Sequence, residues 1–537
     1  MDEASKTSSP GRDRVSILCL VLIAALTVTW IVVGAAVRPA MYSDSGWGLQ
    51  GWDTRARAPG FNNSAGPDPT DISRDEIGFM SNWSPGQHLL PGLLELAGMN
   101  LGLAIVAVTA AFSVLGLAGW FALYRAFGFP TRSAMVALLL VACSRFFNLP
   151  FAIYNGGEVL LFGVAPWFVL LVWRLRELRW SAVPPLVAGT AVLVFAKLSG
   201  LIVAFAAMGA AAVCADSAWL KRETIRKILV AATAAGSAAV IFYFGWFVHG
   251  PTPASIVTEP HSIGLPFYLA FVIGSLWSAS LSLGDFASYL FLHPSRPILP
   301  TIDAVYFAFL TLAAPILGFS AWHLRRDHGE YLRFSYLAAA AMSAFLVLLW
   351  LRGNAVSFEE RHLRIASLLL LIGVVHAFID FPVRVVRIVV ITIFIGASLY
   401  GVASFAVRTK ANLERPLGIR GTRQLNANAQ ALEFLHRIDV VGPGGETPVV
   451  VVMSPELGLE LRQARVFPMQ ADFDTLAELE ARVIRGRVAQ LYALMPAKLV
   501  DSGKAAAILK SFVDYPADGW RSVPLGDYVA YYQDRPR

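Results

Sequence analysis

The sequence predicts an α-helical polytopic membrane protein with about eleven transmembrane helices and a small C-terminal α/β domain. Of its 537 residues, 56% are hydrophobic and only 15% are charged, whereas about 25% of the residues of a soluble domain are charged. Apolar runs long enough to cross about 30 Å of hydrocarbon recur along most of the chain. From about residue 412 these long runs stop and the sequence becomes more polar.

The first predicted span covers residues 15–37. This run is too long for the core of a signal peptide, and no convincing small-residue cleavage site follows it, so we interpret it as a retained helix. Residues 265–284 fit either a further span or a helix that lies at the membrane interface. The other predicted spans are 101–123, 133–150, 158–173, 182–197, 200–215, 229–249, 303–322, 331–351, 363–380 and 387–407.

The basic residues predict the orientation of the chain. If Lys6, Arg12 and Arg14 lie in the cytoplasm, most of the other arginine and lysine clusters also fall at cytoplasmic ends of spans. An odd number of spans then places the C-terminus on the opposite side. We therefore expect a multi-pass protein of the cell (inner) membrane with a cytoplasmic N-terminus (1–14), a transmembrane domain (15–410) that includes an outer loop (38–100), and an extracytoplasmic α/β domain (411–537).

The charge and the cysteine content exclude other kinds of protein. The net charge is +7, but the basic residues lie mostly at span ends, where orientation needs them, so we expect no nucleic-acid partner. The three cysteines lie within apolar runs, and their spacing fits neither a disulfide framework nor a metal site. Buried free thiols are the expected state.

The C-terminal region has the pattern of a small α/β domain. Helical spacing is present at 426–439 and 474–487. Residues 447–453 are mostly β-branched and follow a glycine-rich turn, which is typical of a buried strand, and residues 527–533 fit a final strand. The glycine-rich segment 442–446 precedes the strand instead of following it, so we expect no phosphate-binding loop.

The predicted outer loop 38–100 is the most informative segment, because it places carboxylates and aromatic rings beside the membrane. Asp44 follows the first span by a few residues, where a partly apolar setting could raise the pKa of its carboxyl and make it a general base. Alternatively, Asp44 caps an interfacial helix at 45–57. A lone histidine such as His88 could bind a hydroxyl or a phosphate, or be structural. The loop residues that we expect to contact a polar substrate are Tyr42, Trp47, Trp52, Asp53, Trp83 and His88.

Four further carboxylates of this loop, those of Asp68, Asp71, Asp75 and Glu76, permit two interpretations. They could belong to a solvated loop in which some of them cap helices. They could also bind Mg²⁺ or Mn²⁺, because clustered oxygen ligands suit these ions. Nothing in their spacing requires a metal.

The segment YNGGE at 154–158 is a further candidate for substrate binding. Its two glycines would let the backbone approach a ligand closely near Asn155. Glu158 opens an apolar helix, where a carboxylate is either functional or a first-turn acid that the helix dipole favours.

The segment EERHLR at 359–364 could bind an anion at the start of a late span. Arg361, His362 and Arg364 supply two cations and an imidazole beside a helix N-terminus, and a lipid phosphate is the obvious anion there. Alternatively, the segment anchors the topology of the span. Lys197 lies at the end of another apolar run, so its ammonium group needs a partner or a ligand.

The order of these features resembles that of the GT-C superfamily of integral-membrane glycosyltransferases, such as the protein O-mannosyltransferases and the lipid A aminoarabinose transferases. The resemblance implies a polyprenyl-phosphate sugar as donor and an acidic residue of the first outer loop as catalytic base. Asp44 in YSDSGWG occupies that place. Glu158 matches the second outer acidic position of some families, and EERHLR looks like the ERY-L type of segment near the donor phosphate.

The resulting hypothesis is an inverting transferase that moves a sugar from a polyprenyl-phosphate carrier to a lipid, glycan or protein acceptor at the outer face of the membrane. Asp44 would deprotonate the acceptor hydroxyl, and a set of cationic groups would hold the departing phosphate. No cofactor is required, since these groups could neutralise the phosphate, although a divalent cation would be compatible. The expected phosphate-binding residues are Lys197, Arg361, His362 and Arg364.

Two other classes of function fit the same composition. One is a transporter or flippase for a lipid-linked or anionic substrate, in which charged residues of the spans line a path. The other is a non-catalytic membrane scaffold that binds a glycan. The long outer loop and the outer domain favour the enzyme, because a transporter has little use for them.

Overall fold

The computed structural model describes residues 10–214, 222–250, 264–292, 298, 301–353, 359–379, 381–442 and 444–534. It consists of a bundle of apolar helices with a polar layer on one side. This layer contains the loop 38–100 and the C-terminal region, and we call that side of the bundle the domain side. Residues 1–9 of the predicted cytoplasmic N-terminus lie outside the described residues.

The bundle and the loop 38–100 contain most of the helices. In chain order these are α1 (Pro10–Val37), α2 (Ser43–Asp53), α3 (Gly86–Leu96), α4 (Leu101–Ala126), α5 (Thr131–Cys143), α6 (Arg145–Asn148), α7 (Gly157–Arg174), α8 (Val183–Ala196), α9 (Gly200–Cys214), α10 (Arg222–Gly245), α11 (Leu265–Ser278), α12 (Leu283–Phe291), α13 (Ile302–Leu324), α14 (Gly329–Leu351), α15 (Arg364–Ile379) and α16 (Arg384–Leu413).

The predicted multi-pass helical architecture is confirmed. In the described part of the chain, eight helices are long and apolar enough to cross a membrane, and the number rises to ten if each of two bent pairs counts as one span. The spans predicted at 182–197 and 200–215 are shorter apolar helices, α8 and α9. The number of spans therefore depends on how the short and bent helices are counted.

Both bent pairs break at a serine. The chain turns by 63° between α5 and α6 and by 98° between α11 and α12. Ser282, at the second break, has a φ of 53°, in the left-handed region that residues other than glycine seldom adopt. The segment 265–284, which the sequence left open, is thus mainly the first arm of a sharply bent pair.

Glycines let the bundle helices pack closely. A Cβ atom built on Gly163 of α7 would lie 2.7 Å from the ring of Phe112 of α4, and one on Gly116 would collide with Phe162. Small residues at such crossings allow backbones to approach, which is the usual basis of helix association in membranes.

The loop 38–100 contains regular structure. One interpretation of its carboxylates predicted a solvated loop in which some of them cap helices, but they lie in a β-hairpin instead. Its strands β2 (Asn63–Asp68) and β3 (Asp71–Phe79) form an antiparallel hairpin. Asp68 and Asp71 accept hydrogen bonds from the residues two positions after each of them. These bonds lower the pKa of both carboxyl groups, and they shape the turn of the hairpin.

The C-terminal region is built around a five-stranded sheet of order β6-β5-β7-β9-β8, in which β6, β5 and β7 are parallel and β9 is antiparallel to both of its neighbours. Its elements are α17 (Ala429–Ile438), β5 (Val449–Val452), β6 (Arg465–Pro468), α18 (Leu476–Glu480), β7 (Gln490–Pro496), α19 (Ala497–Asp501), α20 (Lys504–Ser511), β8 (Arg521–Leu525) and β9 (Tyr528–Asp534). Two further short strands, β1 (Ala40–Met41) and β4 (Ile153–Tyr154), lie at the ends of the bundle helices.

The helix predicted at 426–439 agrees with α17. The strands predicted at 447–453 and 527–533 agree with β5 and β9. The helix predicted at 474–487 is wrong beyond Glu480, where α18 ends. The chain then pairs with the hairpin: the amide of Ile72 donates to the Arg485 carbonyl at 2.9 Å, and Gly486 lies against Asp71 with a φ of 89°. Contact with the hairpin therefore replaces the last turns of the expected helix.

The hairpin and the C-terminal domain share a hydrophobic core. Ile72 of β3 is fully buried among apolar side chains of the domain. At the hairpin surface, Asp75 forms ion pairs with Arg57 at 3.3 Å and with Arg465 of β6 at 3.1 Å. The loop and the domain, which are far apart in sequence, thus form one layer on the domain side.

Arg420 connects this layer to the bundle. It precedes α17, is only 9% exposed, and forms ion pairs with Asp53 at the end of α2 and with Glu95 of α3. Its carbonyl also accepts a hydrogen bond from the amide of Gly102 at the start of α4. The side chain of Arg420 therefore joins the C-terminal region to two helices of the loop 38–100, and its backbone carbonyl joins that region to the bundle.

Replacing Arg420 by leucine leaves two partly buried carboxylates without their cation. We expect Arg420→Leu to lower the free energy of unfolding by about 2 kcal/mol, less than the 3–5 kcal/mol typical of a fully buried pair because both carboxylates keep some exposure. Thermal unfolding of the purified protein in detergent measures the effect. Arg74→Leu, which removes an 80% exposed partner of Asp71, is the control and should change stability little. Equal effects of the two substitutions would contradict the bridging role.

Candidate functional site

A polar cavity of about 730 Å³ lies on the domain side, where α2, α7, α12 and the start of α15 meet. It is bounded by charged side chains on the bundle side and by the segment after β6 on the side of the C-terminal domain. The residues of the predicted site that line it are Tyr42, Asp44, Asn155, Glu158, Arg361 and Arg364.

Asp44 is held in the cavity wall by strand pairing across the bundle. β1 runs parallel to β4, and the amide of Tyr42 donates to the Tyr154 carbonyl at 3.0 Å. The helix α2 begins directly afterwards, with Tyr42 and not Asp44 at its N-cap position. Asp44 is therefore a first-turn residue whose half-exposed carboxylate faces the cavity. The alternative prediction that it caps this helix is wrong.

Arg361 brings together the predicted base Asp44 and the second predicted acidic residue, Glu158. Its Nη1 atom lies 3.7 Å from Asp44 Oδ2, and its Nε atom lies 3.8 Å from Glu158 Oε1 and 2.5 Å from Glu359 Oε2. Its side chain is about one-third exposed. The guanidinium thus connects the outer loop to the first turn of α7.

Glu158 is the buried centre of this group. Its side chain is 8% exposed and forms an ion pair with Lys197, which follows α8. A carboxylate at this depth needs cationic partners, because an unpaired charge away from water is costly. Lys197 does not line the cavity, so its charge acts through Glu158. His362 lies in the 3₁₀ turn before α15 and does not line the cavity either.

Arg364 has an unused hydrogen-bond donor that could bind an anion. Its guanidinium lies over the ring of Phe146, 4.5 Å from the ring centroid. Among the described residues, its buried Nε has no hydrogen-bond partner, and neither has the buried Oδ1 of Asn155. Both side chains line the cavity and are therefore available to a polar ligand.

The two glycines of YNGGE have a structural reason that differs from the predicted one. Gly156 has a φ of 61°, and a Cβ atom there would collide with Gln87 of α3. The Gly157 amide points to Oε1 of the same glutamine at 3.3 Å. The close approach is to α3, and only Asn155 of this turn, together with Glu158, faces the cavity.

The far wall of the cavity contains an ion pair that the sequence did not point to. Arg145 of α6 pairs with Asp285 of α12. Next to it, the buried carboxylate of Glu360 accepts hydrogen bonds from Ser278 and from the amide of Gly284 at 3.2 Å. Arg145 lies inside an apolar run, where a charge needs a partner. Asp285 directly follows the segment 265–284, and no motif marks it.

The other predicted substrate contacts lie outside this cavity. Trp47 and Trp83 line a separate groove of about 380 Å³ between the hairpin and β6. Trp52 is 7% exposed and packs against Gly92. Asp53 is paired with Arg420, and burial raises the pKa of its carboxyl to about 6 although the guanidinium acts to lower it.

His88 is enclosed beneath α2. It is 1% exposed, and a Cβ atom at Gly48 would lie 3.0 Å from its Nδ1 atom. Burial lowers the pKa of its imidazole to about 4. The structure therefore places this histidine, in its neutral form, in the packing between α2 and α3.

No three His, Cys, Asp or Glu side chains in the described ranges are grouped so that they could hold a metal ion. Four carboxylates at 68–76 were together a candidate ligand set for Mg²⁺ or Mn²⁺, and three of them, Asp68, Asp71 and Asp75, form the hairpin contacts described above. That the protein could use a divalent cation, without requiring one, stays a prediction.

The buried neutral His88 predicts acid sensitivity. The unfolded chain takes up a proton near pH 6.5, whereas the folded protein resists until about pH 4, so stability decreases as the pH falls through this window. The loss reaches about 3 kcal/mol at most, since one pKa unit corresponds to about 1.4 kcal/mol. Melting temperatures between pH 7 and 4 should fall more steeply for the wild type than for His88→Gln. Identical slopes would contradict this assignment.

Comparisons with known proteins agree with this architecture. The fold is similar to that of ArnT from Cupriavidus metallidurans, both in the apo state and bound to undecaprenyl phosphate, with a TM-score of 0.52, 14% identity, and coverage of 96% of this chain and 97% of that one. It is also similar to the arabinofuranosyltransferase AftD from Mycobacteria, with a TM-score of 0.50 and 15% identity, over 96% of this chain and 40% of that one. Neither a family model nor a curated protein sequence matches the chain. ArnT and AftD are GT-C glycosyltransferases, so the chain has the fold that its resemblance to this superfamily predicted.

Proposed function

We propose that this protein is a glycosyltransferase that moves a sugar from a polyprenyl-phosphate donor to an acceptor at the outer face of the cell (inner) membrane, with inversion. In this proposal the domain side is the outer side. The observation that carries the proposal is the meeting of Asp44, Glu158 and Arg361 in one cavity on the domain side of the bundle.

Asp44 has the position that a general base needs. Its carboxylate is half-exposed and faces a cavity large enough for a sugar and an acceptor group. It would take the proton of the acceptor hydroxyl while that oxygen attacks the anomeric carbon of the sugar. The bond from that carbon to the phosphate oxygen breaks in the same step, and the phosphate leaves with the electron pair. A single displacement of this kind inverts the anomeric centre.

The leaving phosphate would be held by Arg361 and Arg364. Negative charge grows on the phosphate oxygen as the bond breaks, and fixed guanidinium groups stabilise that charge. Glu158 would orient Arg361 and keep the Lys197 charge near the site. Arg361 also lies 3.7 Å from Asp44, so the base and a cation that would hold the phosphate line the same cavity side by side.

Apolar surface next to the cavity supports a lipid-linked donor. Ile302 and Ser288 line the cavity, and the neighbouring side chains Tyr289, Leu290 and Phe291 of α12 are exposed. Exposed apolar groups beside a polar cavity would suit a carrier whose phosphate enters the cavity and whose chain stays in lipid. The undecaprenyl phosphate in one ArnT structure is consistent with such a donor.

The substitution Asp44→Asn tests the base. We expect a loss of transfer of about 10²–10⁴-fold, the usual contribution of a general base, because asparagine keeps the shape of the side chain but cannot accept the proton. The measurement is sugar transfer by protein in proteoliposomes, with the protein level and melting temperature checked. Asp71→Asn, on the hairpin surface, is the control. Full activity of Asp44→Asn would refute the assignment, and flux of an unchanged lipid-linked substrate would favour a flippase instead.

The substitution Arg361→Gln tests the phosphate contact. It should lower kcat by about 10²-fold, as the loss of one preorganised donor does, and weaken binding of undecaprenyl phosphate. Arg179→Gln is a matched control, because Arg179 is exposed outside the cavity lining. A different result would contradict the phosphate contact. If Arg361→Gln slowed transfer from the lipid-linked donor but left both the binding of undecaprenyl phosphate and the kcat with a soluble donor analogue unchanged, Arg361 would serve only to position Glu158.

A further inference from the structure

A second cavity, of about 840 Å³, lies between the C-terminal domain and the end of α16. It adjoins the cavity of Asp44, because Ser43, Gln470 and Phe473 line both. Ser43 is the residue directly before the proposed base. A ligand in the second cavity could therefore reach Asp44 without crossing the bundle.

The second cavity lies at the edge where the parallel strands of the sheet end. Met453 and Ser454, which line it, follow β5, and Ala497 follows β7. Ligands of α/β domains bind preferentially outside this carboxyl edge. Its volume is in the upper part of the range of about 300–1,000 Å³ that is usual for ligand pockets.

Phe473 stands at the junction of the two cavities and is 83% exposed. A large aromatic side chain this exposed contributes little to the core of the domain, so its ring is open to a ligand that passes between the two cavities. A flat ring at the entrance to a polar cavity offers a face on which the C–H side of a sugar can stack.

The charges of the second cavity disfavour an anionic ligand. Glu414, Asp472 and Asp527 outnumber Arg415 and Lys498 in its lining. Both cations are already engaged: Arg415 donates to the Leu425 carbonyl at 2.6 Å, and Lys498 pairs with Asp472 at 2.9 Å.

Amide and hydroxyl groups supply the rest of the polar lining. They include those of Ser43, Asn426, Asn428, Gln470 and Tyr528. Groups of this kind match the hydroxyls of a neutral ligand, and the paired cations leave no cluster to hold a phosphorylated one.

We infer that the second cavity binds the acceptor, and that the acceptor is a neutral, polyhydroxylated chain of several sugars. The chain would lie over the carboxyl edge of the sheet, pass Phe473 and present its terminal hydroxyl to Asp44. The inference rests on the proposed function for the role of Asp44, but the binding site itself does not depend on that role.

The test is binding of the full-length protein in detergent to neutral linear hexasaccharides of mannan, glucan, arabinan and galactan. Phosphatidylglycerol vesicles and unmodified octapeptides serve as the competing probes. We expect at least one hexasaccharide to bind the wild type. Phe473→Ala and Ala429→Trp, which remove the stacking ring and fill the cavity, should each weaken that binding about tenfold, equivalent to about 1.4 kcal/mol.

Two neighbouring substitutions are the controls. Leu476→Ala and Ala477→Trp change exposed positions outside the cavity lining and should leave binding unchanged. Asp44→Asn should bind the hexasaccharide like the wild type while failing to transfer sugar, so the two proposals can fail separately. Binding of no hexasaccharide, equal binding by all variants, or binding of only a peptide or the anionic vesicles would overturn the inference.

Discussion

The burial of one carboxylate at the start of a membrane helix constrains the whole site. Glu158 is almost inaccessible, and an isolated charge in that position would be unstable. Lys197 from the end of α8 and Arg361 from the turn before α15 supply the compensating charges. The ends of three helices must therefore converge at this point, and the backbone follows: a Cβ atom on Gly157 would lie 2.9 Å from the Ala196 carbonyl oxygen.

Much of the bundle could be predicted from the sequence because its signals are local. The spans of α1, α4 and α14 are long apolar runs, and length and composition suffice to identify them. The breaks at Ser144 and Ser282 carry no comparable local signal, since neither position has a proline or a glycine. The hairpin 63–79 was missed for another reason: Ile72 becomes a core residue only through the C-terminal domain, which no pattern within the hairpin can show.

The site could be predicted residue by residue but not as an arrangement. Asp44, Glu158 and Arg361 were noticeable because a charge next to an apolar run is rare in membrane proteins. Residue type did not separate side chains that face the cavity from those that pack beneath it, so Trp52 and His88 were candidates although both are buried. Asp285 and Phe473 reach the site through a bend and a loop that depend on distant contacts, so no local pattern marks either residue as part of the site.

The shared core of the hairpin and the C-terminal domain has a consequence for the synthesis of the chain. Ile72 must wait for partners such as Ile484 and Leu491, which leave the ribosome only after all the intervening membrane helices. Contacts between such distant segments form late and slowly. During that interval the apolar face of the hairpin has no native cover and is open to wrong pairing. The completed helix bundle would then act as a scaffold that holds the hairpin in place until the last part of the chain closes over it.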